Sequence, residues 1–186
     1  MPTYAENSNL MSLQQIIEKL LLVFAEAENT GNLFSEEQFF AQPVPGKWSA
    51  AENVQHLVVS VKPLVSLFGK PETMLQWGTC NRPPMDYDAI IALYKEKLAA
   101  GGKAPAAYSQ MQLEPTKEAQ LQTLHSINAK FLERAASLTS EVLDTYQIPH
   151  PLLGFLTAKE FLLFTNYHTM HHTETLKLLL EKQKAQ

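Results

Sequence analysis

The stretch Asn166-Tyr167-His168-Thr169-Met170-His171-His172-Thr173-Glu174 holds three of the chain's six histidines within five positions. Imidazole titrates near neutral pH and ligates zinc, nickel and iron, so such a cluster raises metal ligation beside the plainer reading of core residues. On a helix, residues four apart differ by about 40° around the axis, which sets His168 and His172 on one face, one turn apart. His171 turns away from that face by about 60°. The face also carries Phe161, Phe164, Thr165, Thr175 and Leu179, while Asn166, Lys177 and Glu181 mark the side expected to meet solvent. The pair therefore points into a core. An imidazole buried there without a partner costs about 1–3 kcal/mol, and one metal ion satisfies two rings at once.

The spacing is that of the HExxH helix, but no glutamate follows the first histidine, so a zincin protease mechanism is not supported. Two histidines four apart are more commonly hydrogen-bonded core residues than ligands, and a third ligand is what separates the two readings. His56, in Gln55-His56-Leu57, is the candidate. It lies two turns into another helix, on the flank of an apolar surface whose exposed stripe is marked by Gln55, Lys62 and Ser66. Three histidines from two helices would leave coordination positions open for water or substrate.

The elements that must position these rings read as helices throughout. Apolar residues recur at helical steps over about 9–30, 49–68, 86–100, 116–139 and 157–182, and no convincing alternation marks a strand. The first helix is expected to end before Gly31. Ser49-Ala50-Ala51-Glu52 and Thr157-Ala158-Lys159-Glu160 are capping boxes that open the two histidine-bearing helices, and Ser35-Glu36-Glu37-Gln38 can start one turn. Pro63 removes one backbone bond inside its helix and is expected to bend it. Long connectors at 31–48, 70–85 and 101–115 are expected to shape a pocket mouth. Four long amphipathic helices and a shorter one predict an all-α fold, a helical bundle with long, irregular connections, with residues 1–186 as one domain.

Composition narrows the function classes. With 186 residues and 45% hydrophobic content the chain can bury a substantial core. Fifteen basic and 19 acidic residues, evenly spread to a net charge of −4, give no nucleic-acid footprint. The longest apolar run, Leu20 to Ala25, is far short of the roughly 20 residues a membrane span needs. The lone cysteine, Cys80, and a start, MPTYAENSNL, without basic or apolar leader regions, lead to the expectation of a reducing cytoplasmic setting.

Trp48-Ser49-Ala50-Ala51-Glu52-Asn53-Val54-Gln55-His56-Leu57 resembles the second-helix pattern W-S-x-x-E-x-x-x-H-L of the DinB-like (YfiT-like) metal-dependent family. The late Tyr167-His168-Thr169-Met170-His171-His172 resembles that family's H-x-x-H-H motif. The two motifs stand in the family's order and bracket the chain. The resemblance implies an up-down four-helix bundle, often dimeric, with a divalent metal ion held by His56, His168 and His172. It also implies a small-molecule substrate, with relatives that include S-transferases using the low-molecular-weight thiols bacillithiol, mycothiol or glutathione, and others regarded as hydrolases or damage-inducible proteins.

Other residues have plainer readings. His171 is expected at the rim of the site, His125 is an outside candidate for a fourth ligand, and His150, between two prolines, reads as a loop residue. Cys80 reads as a small packed hydrophobe. Trp48 precedes an N-cap and reads first as a staple to the core, and Asp86 reads as a cap although Asp86, Tyr87 and Asp88 could line a site mouth. The leucines at 176, 178, 179 and 180 spread over more than one face, which suggests a second helix-packed surface or a dimer contact. Two function classes follow. In one, an enzyme activates a thiol for S-transfer or a water for hydrolysis. In the other, a non-catalytic, stress-related bundle has a closed metal site or none.

Overall fold

The computed structural model describes residues 11–109 and 112–184. Four long helices carry the architecture: α1 (Leu13–Asn32), α3 (Ala50–Phe68), α6 (Lys117–Ala136) and α8 (Ala158–Lys184). Between them lie α2 (Glu36–Phe40), a 3-10 helix (Pro71–Trp77), α4 (Tyr87–Ala99), α5 (Ala106–Ser109), α7 (Ser140–Thr145) and a hairpin of β1 (Gln147–His150) and β2 (Gly154–Thr157). Residues 9 and 10, where the first helix was expected to begin, lie outside the described residues.

The helix starts follow local chemistry. Ser49 N donates to Glu52 Oε2 at 2.7 Å while Glu52 N donates to Ser49 Oγ at 3.1 Å, completing the box that opens α3. Thr157 and Glu160 exchange the same pair of bonds, at 2.8 and 3.2 Å, and open α8. Ser12 with Gln15 and Ser35 with Gln38 cap α1 and α2 likewise. Asp86 Oδ1 accepts from Ala89 N and caps α4. Pro63 lies inside α3 without ending it.

α1 packs on α6 and α8, and α3 packs on the same two helices, so the four close into a bundle. Their directions follow from which residues meet. A Cβ placed on Gly31 would stand 2.6 Å from Leu121 Cδ2, and Phe24 meets Phe131, so α1 and α6 are antiparallel. Gln55 bonds Gln120 and Phe68 stacks on Phe131, so α3 and α6 run the same way. His56 meets His168 and Asn53 meets His172, which makes α3 and α8 antiparallel. Direction thus alternates along the chain except between α3 and α6, where residues 69–116 return the chain to the end from which α3 started.

Three expectations are corrected. The stretch after α6 contains the antiparallel hairpin, with Gln147 opposite Thr157 and His150 opposite Gly154. Strands of four residues with Pro149 inside one are too short for alternation to register. α1 also continues through Gly31, because that glycine admits Leu121 and does not stop the helix. Asn166 faces inward at 6% exposure and accepts the Tyr87 hydroxyl at 3.1 Å.

The apolar core forms two clusters, one around Leu20, Phe24, Phe131 and Leu162, the other around Phe34, Phe39, Val54 and Leu176. Along α8 the paired histidines fall between the residues of the first cluster and those of the second. Among the described residues no helix is long and apolar enough to cross a membrane.

Candidate metal centre

α3 and α8 cross where both are buried, and the crossing brings His56, His168 and His172 together at 6–7% exposure. One ring nitrogen from each lies within 4.8 Å of the others. His56 Nε2 and His168 Nε2 are 3.1 Å apart, and the ring centroids of His172 stand 4.7 Å from those of both partners.

The outer nitrogens determine what the inner ones offer. His56 Nδ1 lies 2.7 Å from the backbone carbonyl oxygen of Tyr108, which can only accept, so Nδ1 carries the proton and Nε2 keeps its lone pair. Asn53 sits one turn before His56. Its Nδ2 donates to Ser49 O at 2.8 Å, which turns Oδ1 toward His172 Nδ1 at 2.9 Å and makes that nitrogen the donor. Two of the three rings are therefore held by outer acceptors with Nε2 free, the arrangement by which ligating histidines are usually oriented. His168 is fixed by packing, its ring stacked on Phe164 and edge-on to Tyr94.

Burial holds His168 and His172 well below the ordinary imidazole value, and the neighbouring imidazoles push the same way. His56 is lowered by burial, against the opposing pull of the Tyr108 carbonyl, and lowered further by His171. All three rings are thus neutral at pH 7, the form that donates a lone pair to a metal. The set fits a divalent ion that accepts imidazole, with zinc, nickel and iron all compatible.

Trp48 does more than staple the chain. Its ring lies 4.9 Å from that of His56 and stacks on His172 at 6.1 Å, walling the cluster on one side. On another side a cavity of about 500 Å³ is lined by His56 and His168 together with a largely apolar wall. His171 is exposed and rests against Tyr94 and Tyr167 at the rim.

His125 lies outside the centre, its Nδ1 2.9 Å from Glu28 Oε2, and supplies no fourth ligand. His150 ends β1, where its Nδ1 accepts from Leu152 N and Leu153 N at 3.1 and 3.0 Å and shapes the hairpin turn. Its ring packs on Phe161 and Phe164, and burial pushes its pKa down to about 4. Cys80 is half-buried and engages Thr145 through its backbone. Asn53 and the Tyr108 carbonyl touch the outer nitrogens of the candidate site and are not among the residues the sequence singled out. A polar residue three positions before His56 on a buried helix face was the available signal for Asn53; a loop carbonyl leaves none.

A family model described as the DinB superfamily matches residues 13–176. Among solved structures, YfiT from Bacillus subtilis, described as "a probable metal-dependent hydrolase with an unusual four-helix bundle topology", superposes with a TM-score of 0.63 at 15% identity, over 99% of this chain and 93% of its own. TT2238, described as a four-helix bundle protein, gives 0.56 at 15% identity, over 90% of this chain and 99% of its own. Identity at that level speaks for the fold. No curated protein sequence matches the chain.

Proposed function

We propose that this chain, which belongs to the DinB superfamily, is a metal-dependent enzyme in which His56, His168 and His172 hold a divalent ion that activates a nucleophile against a small electrophilic molecule. The observation that carries the proposal is the convergence of three neutral imidazoles, two with Nδ1 tied to oxygen acceptors. When bound, the ion supplies Lewis acidity, enough in zinc sites to bring the pKa of water toward ~7. The chain's own residues do the rest. Asn53 and the Tyr108 carbonyl keep the outer protons of His172 and His56 in place, so the inner nitrogens remain available. Trp48 and Phe164 exclude water from two sides of the rings.

Transfer of a low-molecular-weight thiol to the electrophile is the first branch. A cavity of about 500 Å³ against the histidines is far roomier than an attacking water requires and favours an organic cosubstrate. Hydrolysis is the second branch, favoured by the description of YfiT. The reading extends to residues 1–186 as one catalytic domain, to a homodimer and to a cytoplasmic setting.

Metal content measured by mass spectrometry on wild type and His168→Ala tests the proposal. Stoichiometric metal in wild type that is lost in the variant is expected; wild type that takes up none after reconstitution overturns it. Incubating the loaded protein with a reactive aryl halide, with and without glutathione, then separates thiol adduct from hydrolysed product.

A further inference from the structure

Every α3 residue that lines the cavity beside the histidines lies at or beyond His56, and every α8 residue that lines it lies at or before His168. The two helices are antiparallel, so along the crossing the cavity leaves the imidazoles in one direction. The first turn in that direction carries Ser60 on α3 and Thr165 on α8, four residues after His56 and three before His168. Those spacings set each hydroxyl on the face of its helix that carries the histidine, and both residues line the cavity. Serine and threonine are far shorter than histidine, so the gap that the rings fill at the crossing stays open one turn on.

The chain leaves both hydroxyls unused. Thr173, on the same helix as Thr165, closes its hydroxyl on Thr169 O at 2.8 Å, whereas among the described residues Ser60 Oγ and Thr165 Oγ1 have no hydrogen-bond partner. Thr165 is 4% exposed, yet the sealed side-chain atoms without a partner belong to Asn166 and Gln183, so the Thr165 oxygen opens on the cavity that its residue lines. Ser60 is half-buried. Farther along the two helices the wall turns apolar, with Val61, Leu64 and Phe161, and among the described residues no carboxylate lines the cavity. Its charged residues, Lys70 and Lys103, are exposed. A volume of about 500 Å³ admits a ring-sized body.

We infer that Ser60 and Thr165 are specificity-determining residues, whose hydroxyls donate to the carbonyl oxygen of an uncharged, apolar-bodied ligand and so hold its reacting carbon at His56 and His168. This names the substrate class of the proposed enzyme, and it rests on that reading for the chemistry but not for the binding. A carbonyl oxygen has two lone pairs and accepts both donors. Between apolar walls it would lose water without return unless the protein supplies those bonds, which is why two hydroxyls there discriminate between ligands. Where the electrophilic carbon adjoins the carbonyl, donors on the oxygen also stabilise the charge that develops as the nucleophile attacks.

The probes are para-fluoropropiophenone and para-fluoropropylbenzene, which share a body and differ in the carbonyl, titrated into the full chain with and without zinc and followed by fluorine NMR line width. Ser60→Ala/Thr165→Val is expected to weaken the ketone about tenfold, the scale of two neutral hydrogen bonds, and to leave the hydrocarbon unchanged. Thr165→Ser, which keeps a hydroxyl, is expected to preserve the ratio of the two affinities. Equal weakening of both probes in the double variant would mean that the side chains act by shape and overturns the inference. Unchanged ketone affinity overturns it too: a loss in Tyr94→Phe instead would put the oxygen on the phenol that also lines the cavity, and a loss on zinc removal would put it on the ion. Wild type that broadens neither signal overturns it as well. Hydroxyl-dependent binding in a chain that takes up no metal supports the inference while refuting the metal centre, and stoichiometric metal without hydroxyl dependence does the reverse.

Discussion

Glu160 and His168 are buried polar residues of the same helix, about two turns apart, and their surroundings are opposite. Each Glu160 oxygen is satisfied: Arg82 grips both in a bidentate pair, Met85 N donates to Oε1 at 2.7 Å, and Thr157 N donates to Oε2 at 2.8 Å. At the histidines the outer nitrogens of two rings are satisfied by oxygen atoms, while the inner nitrogens face one another. A closed network locks loop to helix and has nothing left to offer a ligand. In the imidazole cluster, by contrast, His56 Nε2 and His168 Nε2 share a single bond with each other at 3.1 Å, which an ion could replace by drawing on all three rings. Burial and polarity are alike in the two places; the unspent coordinating capacity is what distinguishes a site from a clasp.

The difference predicts opposite phenotypes. The largest effect is expected from His168→Ala. Structural zinc sites bind with about 10–16 kcal/mol, so one ligand's share corresponds to a loss of roughly two to three orders of magnitude in metal affinity. Isothermal titration with zinc would show it. The metal-free variant should unfold at nearly the urea concentration of metal-free wild type, and a large drop would make the rings a clasp like Glu160. Next comes Glu160→Gln, which breaks the pair with Arg82 and should lower unfolding free energy by about 3 kcal/mol. Zinc affinity should stay at the wild-type value; if it falls in step with stability, the two regions are not independent.

What could be read beforehand follows the same division between local and distant causes. The boxes Ser49/Glu52 and Thr157/Glu160 involve residues three apart, so their sequence pattern states their geometry. The spacing of His168 and His172 is likewise local, and His56 was found because its own helix was legible. Gly31 was misread as a stop because its reason, Leu121, arrives from another helix. Trp48 looked like an entry staple because only the folded crossing of α3 and α8 brings His172 beneath its ring. The hairpin escaped notice for lack of length, and Asn166 because its partner, Tyr87, sits on α4.

A smaller effect examines the acceptors themselves. Asn53→Leu removes the oxygen that takes the His172 Nδ1 proton while leaving all three rings present. Losing such an outer partner typically costs 10–100-fold in metal affinity, and Asn53→Asp, which keeps the acceptor, should recover most of it. Equal affinities in the three proteins would mean that the orientation of His172 comes from packing against Trp48 and not from Asn53.

The smallest effect concerns an imidazole that belongs with Glu160 despite its chemistry. His150 Nδ1 is satisfied by two backbone N–H groups, and its folded-state pKa is about 4 against 6.5 in the unfolded chain. Above pH 6.5 the ring is neutral in both states and stability does not depend on it. Between 6.5 and 4 the unfolded chain takes up a proton that the folded chain refuses, so stability falls as the solution is acidified, and below 4 the slope ends. With the ring half-buried, the loss attributable to His150 is on the order of 1–2 kcal/mol. His150→Asn keeps an acceptor near the position of Nδ1 and cannot titrate. Its urea midpoint should match wild type near pH 7.5 and exceed it near pH 4.5. Of the other depressed imidazoles, which remain in both proteins, His56, His171 and His172 cancel from the difference, while His168, which a charged His150 also pushes down, adds a smaller change of its own. Parallel curves would show that His150 is not the refusing group. A divergence confined to acid would show that this core accommodates a neutral imidazole bonded at Nδ1 alone, a ring used as a fastening, in contrast to three rings whose nitrogens converge within 4.8 Å of one another.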